Sequence, residues 1–304
     1  MPLFRKIKKL FGAPPLPVAP EAYADATTLG KAERFDERFR EVVSDPVNLL
    51  IARVPTAGYV DPAGKVMLHN GNRVPLRGPG SYYGDFSDVL VINRGVHEPL
   101  EEYCFQQMLA DLSAEKPVML ELGSYWAHYS MWLKKERPLA VCHMVEADLG
   151  NLEAGRENFR DNGHEGHFHQ GLVGRDGFAV DTFLRESGLG RLDILHADIQ
   201  GAEAEMLEGA AESLAAHRID RIFVSTHSDA LHASVEAALR SHGYLVEISS
   251  ACDKHTTSYD GFILASAPGR RPLMGGWTPL GRLEIARATP SQLIASVAAR
   301  LPSP

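Results

Sequence analysis

From Pro117 onward the chain alternates between short apolar runs and helical stretches, and this alternation limits the fold more than any other feature. Seven runs are rich in apolar residues, and a helical pattern separates each of the first five from the next. Strands of this kind, connected by helices, form a mostly parallel sheet that is covered on both faces. The sequence therefore predicts an α/β fold with a seven-stranded, Rossmann-like sheet.

The predicted strands are 118–122, 140–147, 167–173, 192–199, 221–227, 244–250 and 261–267. The predicted helices are 127–135, 150–162, 179–187, 202–216 and 230–241. Only a polar turn, 253–260, separates the last two strands. Because no helix lies between them, we predict that these two strands pair as an antiparallel hairpin.

The first third of the chain has a different texture. Four prolines between positions 14 and 20 mark a linker, and a charged helix is expected over 31–43. The next segment is rich in Gly, Pro and Asn, and a turn is expected at Asn70-Gly71. Its short apolar runs predict strand-like pieces joined by turns: 48–54, 65–69 and 88–92.

These changes of texture divide the chain into four expected parts. They are a basic start, linker and helix over 1–44, a cap segment over 45–115, the sheet domain over 116–268, and a tail with a terminal helix over 269–304. Within the cap segment, a helix over 98–112 is expected to bury one apolar stripe. That stripe is Leu100, Tyr103, Cys104, Met108 and Leu109.

The composition excludes several classes of protein. With 31 Lys and Arg against 39 Asp and Glu, the net charge is −8, so we predict no nucleic-acid partner. Three scattered cysteines (Cys104, Cys142 and Cys252) indicate a reducing compartment rather than a disulfide framework. No apolar run approaches the ~18 residues of a membrane span. We therefore predict a cytoplasmic protein.

The basic start has an amphipathic pattern over residues 3–11. Read as a helix, it places Leu3, Ile7 and Phe11 opposite the Lys and Arg side chains. This pattern allows a peripheral contact with the inner face of the membrane, and the alternative is a basic arm or a helix docked on the domain. Equal co-sedimentation of the full chain and of a chain starting at Pro14 with liposomes would exclude the membrane contact. The oligomeric state does not follow from the sequence.

Ligands of an open α/β sheet bind beyond the carboxyl ends of the strands, so the residues there are the candidates for a site. The first strand ends in Glu121-Leu122-Gly123-Ser124-Tyr125-Trp126. This turn lacks the G-x-G-x-x-G pattern, and its bulky Tyr125 and Trp126 would crowd a pyrophosphate. A nucleoside without phosphates fits better. The alternative is an ordinary turn in which Gly123 serves only the backbone geometry.

The next strands end in further polar residues. Glu146 closes the second strand, about 25 positions after the glycine turn, where an acidic residue would hold a ribose diol. The segment 171–174 after the third strand could lie against an adenine. Asp198 lies at the end of the fourth strand, and His227 lies at the end of the fifth. Because consecutive strands are usually neighbours, we expect His227 to lie beside Asp198.

Three further segments complete a pattern over residues 95–268. In the first turn, Glu121, Gly123 and Ser130 match the motif acid-x-Gly-Ala-Asn-x-Gly-x-x-Ser. Gly95-Val96-His97-Glu98-Pro99 matches Gly-x-x-Glu-Pro. The run after the fourth strand matches Asp-x-Glu-Gly-x-Glu, an apolar pair and Gly-Ala at Asp198, Gly201, Glu203, Leu207, Gly209 and Ala210. With His227 after the fifth strand, the chain resembles the FkbM-like branch of the class I S-adenosylmethionine-dependent methyltransferases.

The resemblance implies methyl transfer from S-adenosylmethionine to a hydroxyl of a sugar, glycan or polyketide-like small molecule. It implies a general base, for which we expect His227, and an orienting residue, Asp198. The expected cofactor contacts are Glu121, Gly123, Ser124, Tyr125, Ser130, Glu146, Ala147, Leu172, Val173 and Asp198. The expected substrate contacts are Glu98, Gln200 and Glu203. Mg²⁺ at Asp198 is an open alternative that the mixed ligand set disfavours.

Three positions depart from the family pattern. Tyr125 stands where the family has Asn, Ala127 where it has Gly, and Gln200 where it has Glu. These departures keep a second function class open, a methyltransferase fold that has lost turnover and serves as a binding or scaffold protein. A nucleotide-dependent oxidoreductase that uses NAD(P) is the third alternative, and the missing glycine fingerprint disfavours it.

Overall fold

The computed structural model describes residues 35–301 except 83 and 254, and the structural statements below concern these residues. The amphipathic start and most of the predicted linker lie outside them. The strands are β1 (Lys65–Met67), β2 (Arg73–Pro75), β3 (Val118–Leu122), β4 (Val141–Glu146), β5 (His167–Gln170), β6 (Leu192–Ala197), β7 (Ile219–Thr226), β8 (Leu245–Ser250) and β9 (Gly261–Ser266).

The helices fill the intervals between these strands. They are α1 (Phe35–Ser44), α2 (Asp88–Ile92), α3 (Pro99–Asp111), α4 (His128–Glu136), α5 (Leu149–Asp161), α6 (Val180–Ser187), α7 (Glu203–Glu208), α8 (Ala211–Ala215), α9 (Asp229–Ser241), α10 (Arg282–Arg287) and α11 (Pro290–Ala298). Two 3₁₀ turns occupy Pro46–Leu49 and Gly84–Ser87. None of the described helices combines the length and the apolar character needed to span a membrane.

The main sheet has seven strands in the order β5-β4-β3-β6-β7-β9-β8. Neighbours from β5 to β7 are parallel, and β9 runs antiparallel to both β7 and β8. The predicted mostly parallel sheet and its terminal hairpin are confirmed. Because the chain goes from β3 to β4 and β5 on one side and then to β6 on the other, the connections reverse direction between β3 and β6. This switch point is where a ligand of such a sheet binds.

Alternating side chains of the strands build two separate cores. Met119 belongs to one apolar cluster and its neighbour Leu120 to the other, as expected for side chains on opposite faces of a strand. The first cluster also contains Val66 and Val89. The described part of the cap segment therefore packs onto one face of the sheet, and the described residues belong to one compact unit.

Two predictions in the cap segment are wrong. Residues 88–92 form the helix α2 instead of a strand, because Val89 and Leu90 are buried next to each other while Val91 and Ile92 are exposed. That pattern does not alternate as a half-buried strand requires. Residues 48–54 also contain no strand. Their first two residues belong to the 3₁₀ turn Pro46–Leu49, and the rest have no regular secondary structure.

The predicted helix over 202–216 is in fact two helices, α7 and α8. The break falls at Gly209, whose carbonyl accepts a hydrogen bond from the backbone N–H of Asp181 at 2.9 Å. The Asp181 carboxylate in turn accepts from the backbone N–H groups of Glu212 and Ser213, both at 2.9 Å. Asp181 therefore caps a new helix start. The sequence analysis also missed α10.

Asp45 ties the cap segment to the last hairpin. Its Oδ1 accepts from the backbone N–H of Val47 at 2.8 Å, and its Oδ2 accepts from the hydroxyl of Thr257 at 2.5 Å. The side chain is 5% exposed. Burial, only partly offset by these hydrogen bonds, raises the pKa of Asp45 to about 6. The ionised form is therefore less favourable in the folded chain than in the unfolded chain.

We expect the replacement Asp45→Asn to change how stability depends on pH. Because the folded pKa lies above the unfolded one, the contribution of Asp45 to wild-type stability falls by ~2–3 kcal/mol as pH rises from 4 to 7, and Asp45→Asn removes this contribution. Urea unfolding at pH 4, 6 and 8 measures it. Asp176→Asn, at a side chain 95% exposed, is the control. If the free energies of unfolding of wild type and Asp45→Asn changed with pH in parallel, the prediction would be contradicted.

Candidate active site

A continuous crevice lies at the switch point and consists of two adjoining cavities. The first cavity has a volume of about 310 Å³ and the second about 410 Å³. Both are lined by the same four residues at the ends of β3 and β6, namely Gly123, Tyr125, Asp198 and Gln200. The two cavities therefore meet at the place where the sequence analysis expects a ligand.

The second cavity collects the residues expected at the nucleoside. Glu146, Ala147, Leu172 and Val173 all line it. The Glu146 carboxylate is held by the backbone N–H groups of Tyr125 at 3.0 Å and Asp148 at 2.9 Å. Leu172 exposes 74% of its surface, so it offers an apolar face to a flat ligand. A fixed carboxylate beside an exposed apolar wall suits a ribose and an adenine.

Gly123 is required by a close approach of two backbone segments. Its φ is +70°, and a Cβ atom added there would lie 1.7 Å from the carbonyl oxygen of Asp198. Only glycine allows β3 and β6 to end this close together. Gly123 therefore serves the backbone geometry, as in the alternative of an ordinary turn. The same geometry also brings the ends of both strands to the crevice.

The three departures from the family pattern all have a left-handed backbone. The φ values are +43° at Tyr125, +63° at Ala127 and +54° at Gln200. Asn and Gly adopt this region easily, while other residues lose about 1–2 kcal/mol there. Tyr125 turns its hydroxyl away to donate to the carbonyl of Ser81 at 2.9 Å, and both cavities remain. The substitutions therefore keep the turn and do not fill the crevice.

The floor of the first cavity holds Glu121 and Ser124. Glu121 is buried, and its carboxylate accepts from the backbone N–H of Ser130 at 3.1 Å. Burial raises the pKa of Glu121, although the neighbouring His196 opposes the shift. The Ser124 hydroxyl is buried and has no hydrogen-bond partner among the described residues. Ser130 itself lines neither cavity and acts by holding Glu121.

His227 lies beside Asp198, as expected, but it is surrounded by carboxylates. Its Nε2 is 3.2 Å from Asp198 Oδ1 and 3.5 Å from Asp260 Oδ1, and its Nδ1 is 2.6 Å from Glu203 Oε1. We call Asp198, Glu203 and Asp260 the carboxylate group around His227. Burial disfavours the charged ring, yet the close carboxylates of Asp198, Glu203 and Asp260 raise the pKa of His227 to about 10.

These contacts oppose the expected role of His227. A ring with this pKa already carries its proton at neutral pH and cannot accept another. His227 also does not line the first cavity, whereas Asp198 and Asp260 do. The geometry therefore favours reversed roles, in which the cationic His227 holds Asp198 and Asp260 and these carboxylates face the ligand.

The expected substrate contacts divide into two groups. Glu98 and Gln200 line the first cavity. Burial and nearby carboxylates raise the pKa of Glu98 well above its ordinary value, and its Oε2 accepts from the Tyr129 hydroxyl at 3.1 Å. Glu203, in contrast, is completely buried beneath His227 and lines neither cavity. The expectation that Glu203 contacts substrate is not supported, because its carboxylate is occupied by the imidazole.

The donor set Asp198, His227 and Asp260 could hold a metal ion by its spacing. Mg²⁺ prefers oxygen ligands in an octahedral arrangement. Here one of the three donors is an imidazole, which would first have to lose the proton that its raised pKa favours. The residues therefore fit Mg²⁺ poorly, and they are satisfied as an ion-pair network.

Sequence reasoning missed one wall of the first cavity. This wall comes from α1, from the segment before α2 and from the β8–β9 turn, and it contains Arg38, Tyr82, Phe86, Tyr259 and Asp260. The Arg38 guanidinium lies 3.4 Å from the centroid of the Tyr259 ring. Only the position of the polar turn 253–260 between two strands could have indicated a contribution from this part of the chain.

The order of the sheet and the crevice at its switch point are those of the Rossmann-like fold of class I methyltransferases. Residues 105–246 match the family described as the methyltransferase FkbM domain, which spans the sequence from α3 to β8. This match to the methyltransferase FkbM domain over residues 105–246 confirms the resemblance found in the sequence.

Comparisons with other proteins add similarities of fold only. An M. capricolum TrmK bound to S-adenosylhomocysteine is 13% identical, with a TM-score of 0.41, over 64% of this chain and 81% of that one. A Bacillus cereus O-methyltransferase, also bound to S-adenosylhomocysteine, is 13% identical, with a TM-score of 0.39, over 57% and 82%. A precorrin-6y C5,15-methyltransferase of Geobacter metallireducens is 14% identical, with a TM-score of 0.38, over 53% and 86%. No curated protein matches the chain in sequence.

We expect Gly123→Ala to destroy the crevice. The added methyl group meets the backbone of Asp198, which cannot rotate away, so stability should fall by at least ~3 kcal/mol. The control is Gly190→Ala, where the added Cβ meets nothing within 4 Å. Thermal unfolding of both variants measures the difference. A Gly123→Ala variant with wild-type stability would show that the strand ends are further apart than described.

Proposed function

We propose that this chain is an S-adenosylmethionine-dependent O-methyltransferase that acts on a hydroxyl of a sugar, glycan or polyketide-like small molecule. The observation that carries the proposal is the position of Asp198. It lies at the junction of the second cavity, which suits a nucleoside, and the first cavity, which is lined by acidic residues and aromatic rings. A donor in one cavity and an acceptor in the other would meet at this carboxylate.

The residues present fit the cofactor. Glu146 and Leu172 would hold the ribose and the adenine in the second cavity. The buried hydroxyl of Ser124, which lacks a partner among the described residues, would bind the amino-acid end near Glu121. When bound, S-adenosylmethionine supplies an electrophilic methyl group whose bond to sulfur breaks as the acceptor oxygen forms its bond to carbon.

The lining of the first cavity favours a neutral acceptor with several hydroxyl groups. The carboxyl group of Glu98 and the carboxylates of Asp198 and Asp260 would accept hydrogen bonds from hydroxyls, and Tyr82 and Tyr259 offer flat apolar faces. The carboxylates of Asp198 and Asp260 would repel an acidic acceptor. A sugar or a polyketide-like molecule meets these requirements. We propose that the acceptor is not a nucleic acid.

The proton of the acceptor hydroxyl has to leave as the new bond forms, and we assign Asp198 as the group that receives it. His227 contributes one positive charge to three carboxylates, so the group around it is net negative when all are ionised. A net negative group balances a cationic methyl donor and can take up a proton. His227 acts as a positioning residue that fixes Asp198.

Titration calorimetry with S-adenosylmethionine, S-adenosylhomocysteine and NAD tests the cofactor. We expect micromolar binding of the first two and none of NAD. Glu146→Gln should weaken S-adenosylhomocysteine about tenfold or more, because it removes the charge that would accept from the ribose. His167→Gln, at an exposed site on β5, is the control. Binding of NAD alone would support the oxidoreductase alternative.

Transfer of labelled methyl to a panel of sugars, glycans and polyketides tests the reaction. We expect Asp198→Asn to lower kcat about 100-fold or more while leaving S-adenosylhomocysteine affinity within a few-fold. His227→Gln should lower kcat less, by ~10-fold, with the same affinity. Full activity of Asp198→Asn would remove it as the base. Cofactor binding with no transfer to any acceptor would favour the scaffold alternative.

A further inference from the structure

Beside the crevice lies a group of buried polar side chains that the proposed methyl transfer does not use. His69 follows β1 in the small hairpin, Glu102 lies on α3, and His128 is the first residue of α4. One donor atom from each lies within 4.8 Å of the others. The three side chains are 0–2% exposed. We call them the buried histidine cluster.

The donor atoms of this cluster lie within ion-pair distance of one another but are poorly aligned for hydrogen bonds. His69 Nε2 is 3.0 Å from Glu102 Oε2, and His128 Nε2 is 3.8 Å from Glu102 Oε1. Nevertheless Glu102 Oε2 and both ring nitrogens of each histidine have no hydrogen-bond partner among the described residues. Buried polar atoms are almost always satisfied, so several orphans around one centre point to a missing partner.

Glu102 is held in position from outside the cluster. Its Oε1 accepts from the backbone N–H groups of His97 at 3.0 Å and Glu98 at 3.3 Å. Nδ1 of the His97 ring lies 2.5 Å from the same oxygen. These contacts fix one oxygen and leave Oε2 directed toward His69. Metal-binding carboxylates are commonly held by such outer contacts.

Aromatic rings surround the two histidines. Trp132 contacts His69 edge-on, with 4.4 Å between ring centroids, and Trp126 stacks on His128 at 5.0 Å. This shell keeps water from competing for the donor atoms and fixes the ring orientations. Ion pairs of Glu102 with His69 and His97 would still leave both ring nitrogens of His128 without a partner among the described residues.

We propose that His69, Glu102 and His128 bind a divalent transition-metal ion of the zinc class. Two imidazole nitrogens and one carboxylate oxygen are a ligand set that Zn²⁺ accepts, with a fourth position left for another ligand. The ion would join three separate segments of the chain, the hairpin, α3 and the turn after β3. His128 also lines the first cavity, so the ion would stiffen the wall of the crevice. The site shares no residue with Asp198, His227 and Asp260.

The proposal does not depend on the methyltransferase activity and is tested by metal binding. The metal-free full chain is titrated with Co²⁺ while the visible absorption of a four- or five-coordinate ion is recorded, and Zn²⁺ is then used to displace it. We expect one Co²⁺ per chain, displaced by Zn²⁺, and a higher melting temperature with Zn²⁺ than with EDTA. The melting temperature is measured on the wild type, so this test does not depend on whether any variant folds.

Variants locate the bound ion. Glu102→Gln and His69→Gln should each weaken Co²⁺ binding by at least about 100-fold, since each removes a direct ligand. His227→Gln and the surface variant His167→Gln should bind as the wild type does. Loss of binding in His227→Gln with binding retained in Glu102→Gln would overturn the proposal and place the ion in the crevice. Absence of Co²⁺ absorption and of any Zn²⁺ effect on melting would overturn it as well, leaving ordered water as the partner of the cluster.

Discussion

The close backbone contact between Gly123 and Asp198 is the constraint on which the rest of the site depends. It holds the end of β3 against the end of β6, at the one place where the connections of the sheet reverse direction. Every residue shared by the two cavities lies at this contact. The fold therefore does more than provide a surface, because the spacing of two strand ends decides where two ligands would meet.

Charge is distributed unevenly around that contact. His227 lies behind Asp198 and Asp260 and is itself supported by the fully buried Glu203. The cation is thus placed inside the protein and the carboxylates at the surface of the cavity. An arrangement of this kind keeps a negative face toward a positively charged donor while it limits the repulsion between neighbouring acids. The contact of Glu203, at the start of α7, with His227, which follows β7, links these two elements to the chemistry that we propose.

The sequence was sufficient for the sheet domain because periodicity reports directly on strands and helices that are buried on both sides. The pairing of His227 with Asp198 also followed, since it depends only on strand adjacency. The roles that we propose for Asp198 and His227 did not follow from the sequence. They depend on Asp260, which lies in the β8–β9 turn and belongs to no motif. The cap segment was mispredicted at α2 for a related reason. In short apolar runs the burial is set by neighbours far away in the sequence.

One feature of the topology separates the two halves of the crevice. β9 runs against its neighbours, so the turn that joins it to β8 reaches the same edge of the sheet as the ends of β3, β4 and β6. The second cavity is built from connections between parallel strands, each of which also fixes a helix. Tyr259 and Asp260 belong to a turn that fixes none. The specificity for an acceptor could therefore diversify in that turn through changes of length or composition, while the half that suits a nucleoside stays the same.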